Sequence, residues 1–114
     1  MKQIVCLLLM FFLLSSTGFA HPPDSIKAVY DKESGELSIT IVHPTKDTAE
    51  HFISEILIKI NGETRLTHKN LFQESNESQK ALYRFTDIRT GDKIEITASC
   101  NVFGKKRITL EVEG

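Results

Sequence analysis

The stretch Ile56-Leu57-Ile58-Lys59-Ile60-Asn61-Gly62-Glu63-Thr64-Arg65-Leu66 decides the fold class. Ile56, Ile58 and Ile60 share one face and Leu57 and Lys59 the other, the period of two that a half-buried strand requires. Asn61-Gly62 then supplies the two residues that best tolerate positive φ in a type I′ turn, so the stretch predicts a hairpin whose second strand covers residues 63–68. The alternation recurs upstream. Ile26, Ala28 and Tyr30 alternate with Lys27 and Val29, and Leu37, Ile39 and Ile41 alternate with Ser38 and Thr40. Residues 81–86, 93–99 and 107–113 complete about seven short strands, separated by turn signals at Ser34-Gly35 and Thr90-Gly91-Asp92. No segment carries the apolar stripe of an amphipathic helix. The prediction is an all-β, immunoglobulin-like β-sandwich. The polar run QESNESQK, residues 73–80, reads as a surface loop, and its Asn76-Glu77-Ser78 is a formal glycosylation sequon.

The start of the chain has a different character. Met1-Lys2-Gln3 is a short positive opening, residues 4–14 are apolar throughout, and SSTGFA ends in small Gly18 and Ala20. This is the layout of a secretory signal peptide, predicted to cover residues 1–20 with cleavage between Ala20 and His21. The apolar run is too short to cross a hydrocarbon layer of about 30 Å, which needs roughly 20 helical residues. The mature form, residues 21–114, is therefore expected to be one domain that does not span a membrane and is periplasmic or secreted. Without Lys2 the 14 Lys and Arg residues become 13 against 15 Asp and Glu, and no long basic stretch offers a nucleic-acid surface. Of the 2 cysteines, Cys6 lies in the signal. Cys100 remains alone, so it is buried and inert, paired with another chain, or used.

Parity carries the argument from strands to chemistry. Ile94, Ile96 and Ala98 share the inner face of one strand, and the next step of two lands on Cys100. The count along Leu37, Ile39 and Ile41 lands on His43. Pro44 ends regular pairing there, and His51 closes the loop HPTKDTAEHFI. His21, if it begins the mature chain, adds an imidazole and a free α-amino group. Neutral imidazole and thiolate suit Fe, Cu and Zn. The plainer reading makes Cys100 a small core hydrophobe and His43 and His51 solvated loop residues. Phe52, Phe72, Phe85 and Phe103 are expected in the core. Lys105-Lys106-Arg107 reads as a solvated turn, or as a cluster drawing small anions towards Cys100. His68 receives no role, and no Ser-His-Asp set, phosphate loop or carboxylate pair is evident.

Taken together, His43-Pro44, then Glu50-His51-Phe52-Ile53, then Ser99-Cys100-Asn101-Val102-Phe103-Gly104 resemble the iron-binding domain of the superoxide reductases, the desulfoferrodoxin and neelaredoxin family. The resemblance covers most of residues 21–114 in order and spacing. It implies an immunoglobulin-like sandwich holding one iron through four histidines and a cysteine thiolate, with superoxide as substrate and a separate electron donor. In that family one histidine precedes the first strand, one opens a His-Pro loop, one closes it in a Glu-His pair, and a Cys-Asn-x-His-Gly turn supplies the rest. His21, His43, His51 and Cys100 match the first four ligands, and Phe103 stands at the fifth. The His-Pro loop is two residues longer than usual, and the family's lysine before the first histidine is replaced by Ala20.

Phe103 has no lone pair, so the family's square of four imidazoles cannot form and the metal itself is open. Three expectations follow. The first is a mononuclear iron centre that reduces superoxide. The second is a periplasmic copper-binding module, since an amino-terminal histidine is similar to that of copper-binding sandwiches and copper monooxygenases. The third is a metal-free interaction domain. The His-Pro segment and ISEILIKING also resemble sandwich subunits of thiosulfate-oxidation carriers, which pair with another protein chain.

Overall fold

The computed structural model describes residues 22–114. They form seven strands and no helix: β1 Ser25–Asp31, β2 Glu36–Val42, β3 Ile53–Ile60, β4 Glu63–Lys69, β5 Ser78–Arg84, β6 Lys93–Cys100 and β7 Lys105–Glu111. The expected signal peptide, its cleavage site and His21 lie outside the described residues. Within them, no helix is long and apolar enough to cross a membrane.

Asn61 and Gly62 have φ of 51° and 87°, the paired positive values of a type I′ turn, and they join β3 to β4 as the opening stretch predicts. Every strand pairing is antiparallel. One sheet runs β1-β2-β5 and the other β4-β3-β6-β7, so the fold is an immunoglobulin-like sandwich. The connections β2 to β3, β4 to β5 and β5 to β6 change sheet.

The core lies between the two inner faces. Leu37, Ile39 and Ile41 of β2, Ile56 and Ile58 of β3, and Ile94, Ile96 and Ala98 of β6 are buried, and Phe85, Ile88 and Val112 close its far end. Each fully buried Ile or Leu stabilises the sandwich by about 1.5–3 kcal/mol through removal of apolar surface from water. The outer strand β4 contributes only Leu66, which is half-buried.

Register then brings one set of strand ends together. Ser25 of β1 pairs with Val42 of β2, and Val42 with Ser78 of β5. Across the other sheet Ile53 of β3 pairs with Cys100, and Ser99 with Lys105 of β7. The pairing of β3 with β6 slips between Ile53 and Glu55. This bulge at Ser54 lets Ile53 and Ile56 both point inward although they are three residues apart.

Two expectations are corrected. Phe85 is buried and Phe52 half-buried, but Phe72 and Phe103 are 63% and 62% exposed, because each sits in a loop that continues no inner face. Residues 73–80 are not one surface loop. Gln73 is buried to 1% exposure, and Ser78 to Lys80 belong to β5, so that strand starts earlier than its apolar residues indicate.

Candidate metal centre

At the end where β2, β3 and β6 meet, three ligand-type side chains converge. The nearest ligand atoms of His43, His51 and Cys100 all lie within 4.8 Å of one another. Each arrives by a different local device. His43 continues the inner face of β2, and its N–H donates to the Glu77 carbonyl at 2.9 Å, which extends the sheet one residue beyond the strand. The rings of His43 and His51 then meet edge to face, with centroids 4.7 Å apart and planes at 87°.

His51 is returned to the site by a turn built on Asp47. The Asp47 carboxylate accepts the N–H groups of Ala49 and Glu50 at 3.0 and 3.2 Å, and its carbonyl accepts the His51 N–H at 2.9 Å. An aspartate that satisfies the first donors of a turn in this way is a capping device, and it reverses the long loop. Asn76 holds the loop from the other side, with its side-chain amide donating to the Thr45 carbonyl at 2.9 Å.

Cys100 ends β6 on the inner face and is 8% exposed. The turn that follows closes by the Cys100 N–H donating to the Gly104 carbonyl at 3.0 Å. It aims the Val102 N–H at the Cys100 sulfur, 3.4 Å away. Asn101 fastens the turn to the histidine loop. Its Oδ1 accepts the Phe52 N–H at 2.8 Å, its Nδ2 donates to the Glu50 carbonyl at 2.9 Å, and its own N–H donates to the Phe52 carbonyl at 3.0 Å. Asn101 therefore fixes His51, which lies between Glu50 and Phe52, relative to Cys100.

Gln73 is the residue that sequence reasoning missed. It is buried beside His43, its Oε1 is 2.8 Å from His43 Nδ1, and the same oxygen accepts the Ile53 N–H at 3.2 Å. Its Nε2 donates to the carbonyls of His43 and Ser75 at 2.7 and 2.8 Å. No periodicity marks this glutamine within a polar run. On the far side of its ring, His43 Nε2 is buried and has no hydrogen-bond partner among the described residues. A buried imidazole nitrogen without a partner is costly unless something else takes its lone pair.

Gly104 has φ of +81°, and a Cβ there would sit 2.8 Å from Pro22 Cβ, so the first described residue packs directly on the Cys100 turn. Pro22, Asp24, His43 and Pro44 line a hollow beside the site. Phe103 stands in the turn but is exposed, so its ring does not bury itself among the converging side chains. The basic cluster is not a turn but the start of β7; Lys106 Nζ donates to the carbonyl of Asp24 beside that hollow at 3.0 Å, and Arg107 pairs with Glu95 at 3.2 Å. His68 lies on β4 and makes a 2.7 Å contact from Nδ1 to Tyr83 OH. Burial pushes the Tyr83 hydroxyl up to about 12, so it meets that ring as a neutral phenol.

The arrangement offers two imidazoles and a thiol from three separate elements, the soft and borderline donor set that selects transition metals over Mg or Ca. No protein-family model matches this chain, and no curated protein is significantly similar to it.

Proposed function

We propose that this chain is an exported metalloprotein in which His43, His51 and Cys100 hold one mononuclear transition-metal ion, with His21 as a further ligand. The observation that carries the reading is the buried His43 Nε2, without a hydrogen-bond partner among the described residues, beside a second histidine and a buried thiol, with ligand atoms within 4.8 Å. Pro22 packed on Gly104 supports the inclusion of His21, because Pro22, which follows His21 in the sequence, lies against the Cys100 turn.

Iron is the metal we favour, with superoxide as the substrate. The support is the family resemblance of the His-Pro, Glu-His and Cys-Asn segments together with the donor set. Bound there, iron would supply one electron to superoxide, which with two protons leaves as hydrogen peroxide, and an external one-electron donor would restore Fe(II). The protein's own contribution is to hold the sulfur and two ring nitrogens in place. The Val102 N–H faces the sulfur at 3.4 Å and helps to hold it in position. With Phe103 at the surface, that turn supplies no counterpart of the family's fifth protein ligand.

Copper is the second reading, favoured by the donor set itself, since two histidines and one cysteine also suit copper. The test is metal binding by the processed protein, its first residue verified by mass spectrometry. It is challenged anaerobically with Fe(II), Cu(I), Cu(II) and Zn(II) in turn. One tightly bound iron, a thiolate charge-transfer band on oxidation and Cys100-dependent consumption of superoxide are expected. Preference for copper with no superoxide turnover would replace the first reading by the second. Failure to bind any of the four would overturn both metal readings and turn the search to a protein partner.

A further inference from the structure

We infer that Gln73 is the positioning residue of this centre: it fixes the tautomer of His43 so that the Nε2 lone pair points into the cluster. The inference deepens the proposed metal-binding reading and rests on it for its consequence, but its first step is a statement about the protein alone.

The contacts of the Gln73 amide admit only one orientation. The carbonyl oxygens of His43 and Ser75 lie 2.7 and 2.8 Å from one end of that amide. Carbonyl oxygens only accept, so that end is the NH2 group and its two hydrogens are both used. The other end is the oxygen, and it already accepts the Ile53 N–H at 3.2 Å. Its 2.8 Å contact with His43 Nδ1 can be a hydrogen bond only if Nδ1 carries the hydrogen. In neutral imidazole one ring nitrogen donates and the other accepts, so Nε2 is left with an unshared pair. That nitrogen is buried without a hydrogen-bond partner among the described residues. A hydrogen on Nε2 as well would bury a second donor that no described residue receives.

Metal-binding histidines characteristically donate their other ring N–H to a carbonyl or carboxylate, which fixes ring orientation and raises ligand basicity. Gln73 supplies that acceptor from a side-chain amide. It also ties three segments to the ring it orients, since it bonds to the end of β2 at His43, to the start of β3 at Ile53, and to its own loop at Ser75. The 70–77 loop, which contributes none of the three converging ligands, thereby sets the direction of one of them.

The test uses 15N-labelled protein and Co(II) as the probe metal. In metal-free wild-type protein, the ring nitrogen shifts of His43 should report hydrogen on Nδ1 and a bare Nε2. A His43 ring with hydrogen on Nε2, or exchanging between tautomers, overturns the inference without any variant. Gln73→Met should leave His43 in mixed tautomers and weaken Co(II) binding by about 10–100-fold, the usual cost of losing an outer partner of a ligand. An unchanged tautomer and unchanged Co(II) affinity in a folded Gln73→Met protein would also overturn it. The wild-type spectrum keeps the inference testable if that variant does not fold. Absence of Co(II) binding in wild-type protein whose His43 still holds hydrogen on Nδ1 would remove the metal reading while upholding the tautomer assignment.

Discussion

The two ends of the sandwich are built on opposite principles. At the end away from the candidate centre, polar groups pair with one another. Asn61 donates through Nδ2 to Asp92 at 3.0 Å and accepts the Lys93 N–H at 2.9 Å, and the other oxygen of Asp92 accepts the Arg89 N–H at 2.8 Å. These are exposed turns whose side chains stand in for missing backbone partners. At the other end the 43–52 crossover between the sheets brings His43 and His51 to Cys100 and leaves His43 Nε2 without a hydrogen-bond partner among the described residues. Stability alone accounts for the first end. It does not account for the second, where an apolar residue at position 43 would remove a costly buried polar atom.

The largest effect that separates the ends should come from Cys100→Ser. It should abolish the thiolate charge-transfer band of the Co(II)-loaded or oxidised iron protein and lower metal affinity by more than about 100-fold, above the range for outer partners. Optical titration checks this, and a retained band would mean that the sulfur is only packing.

A second contrast uses glycines with positive φ at both ends. Gly104→Ala adds a Cβ only 2.8 Å from Pro22 Cβ at φ +81°, whereas Gly62→Ala at φ +87° meets nothing within 4 Å. Both variants carry backbone strain of about 1–2 kcal/mol. Denaturant melts should therefore show Gly104→Ala as the less stable, with metal affinity reduced only in that variant. Equal metal affinity in the two would separate the Pro22 contact from the centre.

Asn101→Ala tests the clamp between the histidine loop and the cysteine turn. Loss of its two side-chain bonds to Phe52 N–H and the Glu50 carbonyl should cost about 1–3 kcal/mol. It should weaken Co(II) binding as well, because His51 lies between those two residues. A stability loss without an affinity change would reduce Asn101 to a structural link.

The smallest effect belongs to the paired end. The Arg89 backbone N–H, then Asn61, hold the Asp92 carboxyl below its ordinary 3.8. A group depressed in the folded state stabilises it fully above 3.8, and that contribution is lost as pH falls through the lowered native value. Asp92→Asn should therefore flatten the acid side of the stability curve and leave metal binding at neutral pH unchanged. Acid titration of the melting temperature measures the first, and a shift in metal affinity would show that the two ends are coupled.

Much of this contrast is written in the sequence through parity. Steps of two from Leu37 and from Ile94 lead to His43 and Cys100, and both are buried where those steps end. His51 follows from the loop it closes. Gln73 was not legible, because it sits in a polar run and its burial depends on a cross-loop fit to His43 that no local pattern encodes. Phe72 and Phe103 misled for the converse reason. Aromatic character suggests a core, yet exposure is set by turns at the site end. The bulge at Ser54 left a faint trace, since Ile53 breaks the parity of Ile56, Ile58 and Ile60.

X-ray absorption at the zinc edge of the processed protein, loaded anaerobically with one equivalent of Zn(II), tests the centre most directly. The expected spectrum contains one sulfur at about 2.3 Å and nitrogen neighbours at about 2.0–2.1 Å. A first shell with no sulfur, or zinc that washes away, would contradict the account that His43, His51 and Cys100 form one metal centre.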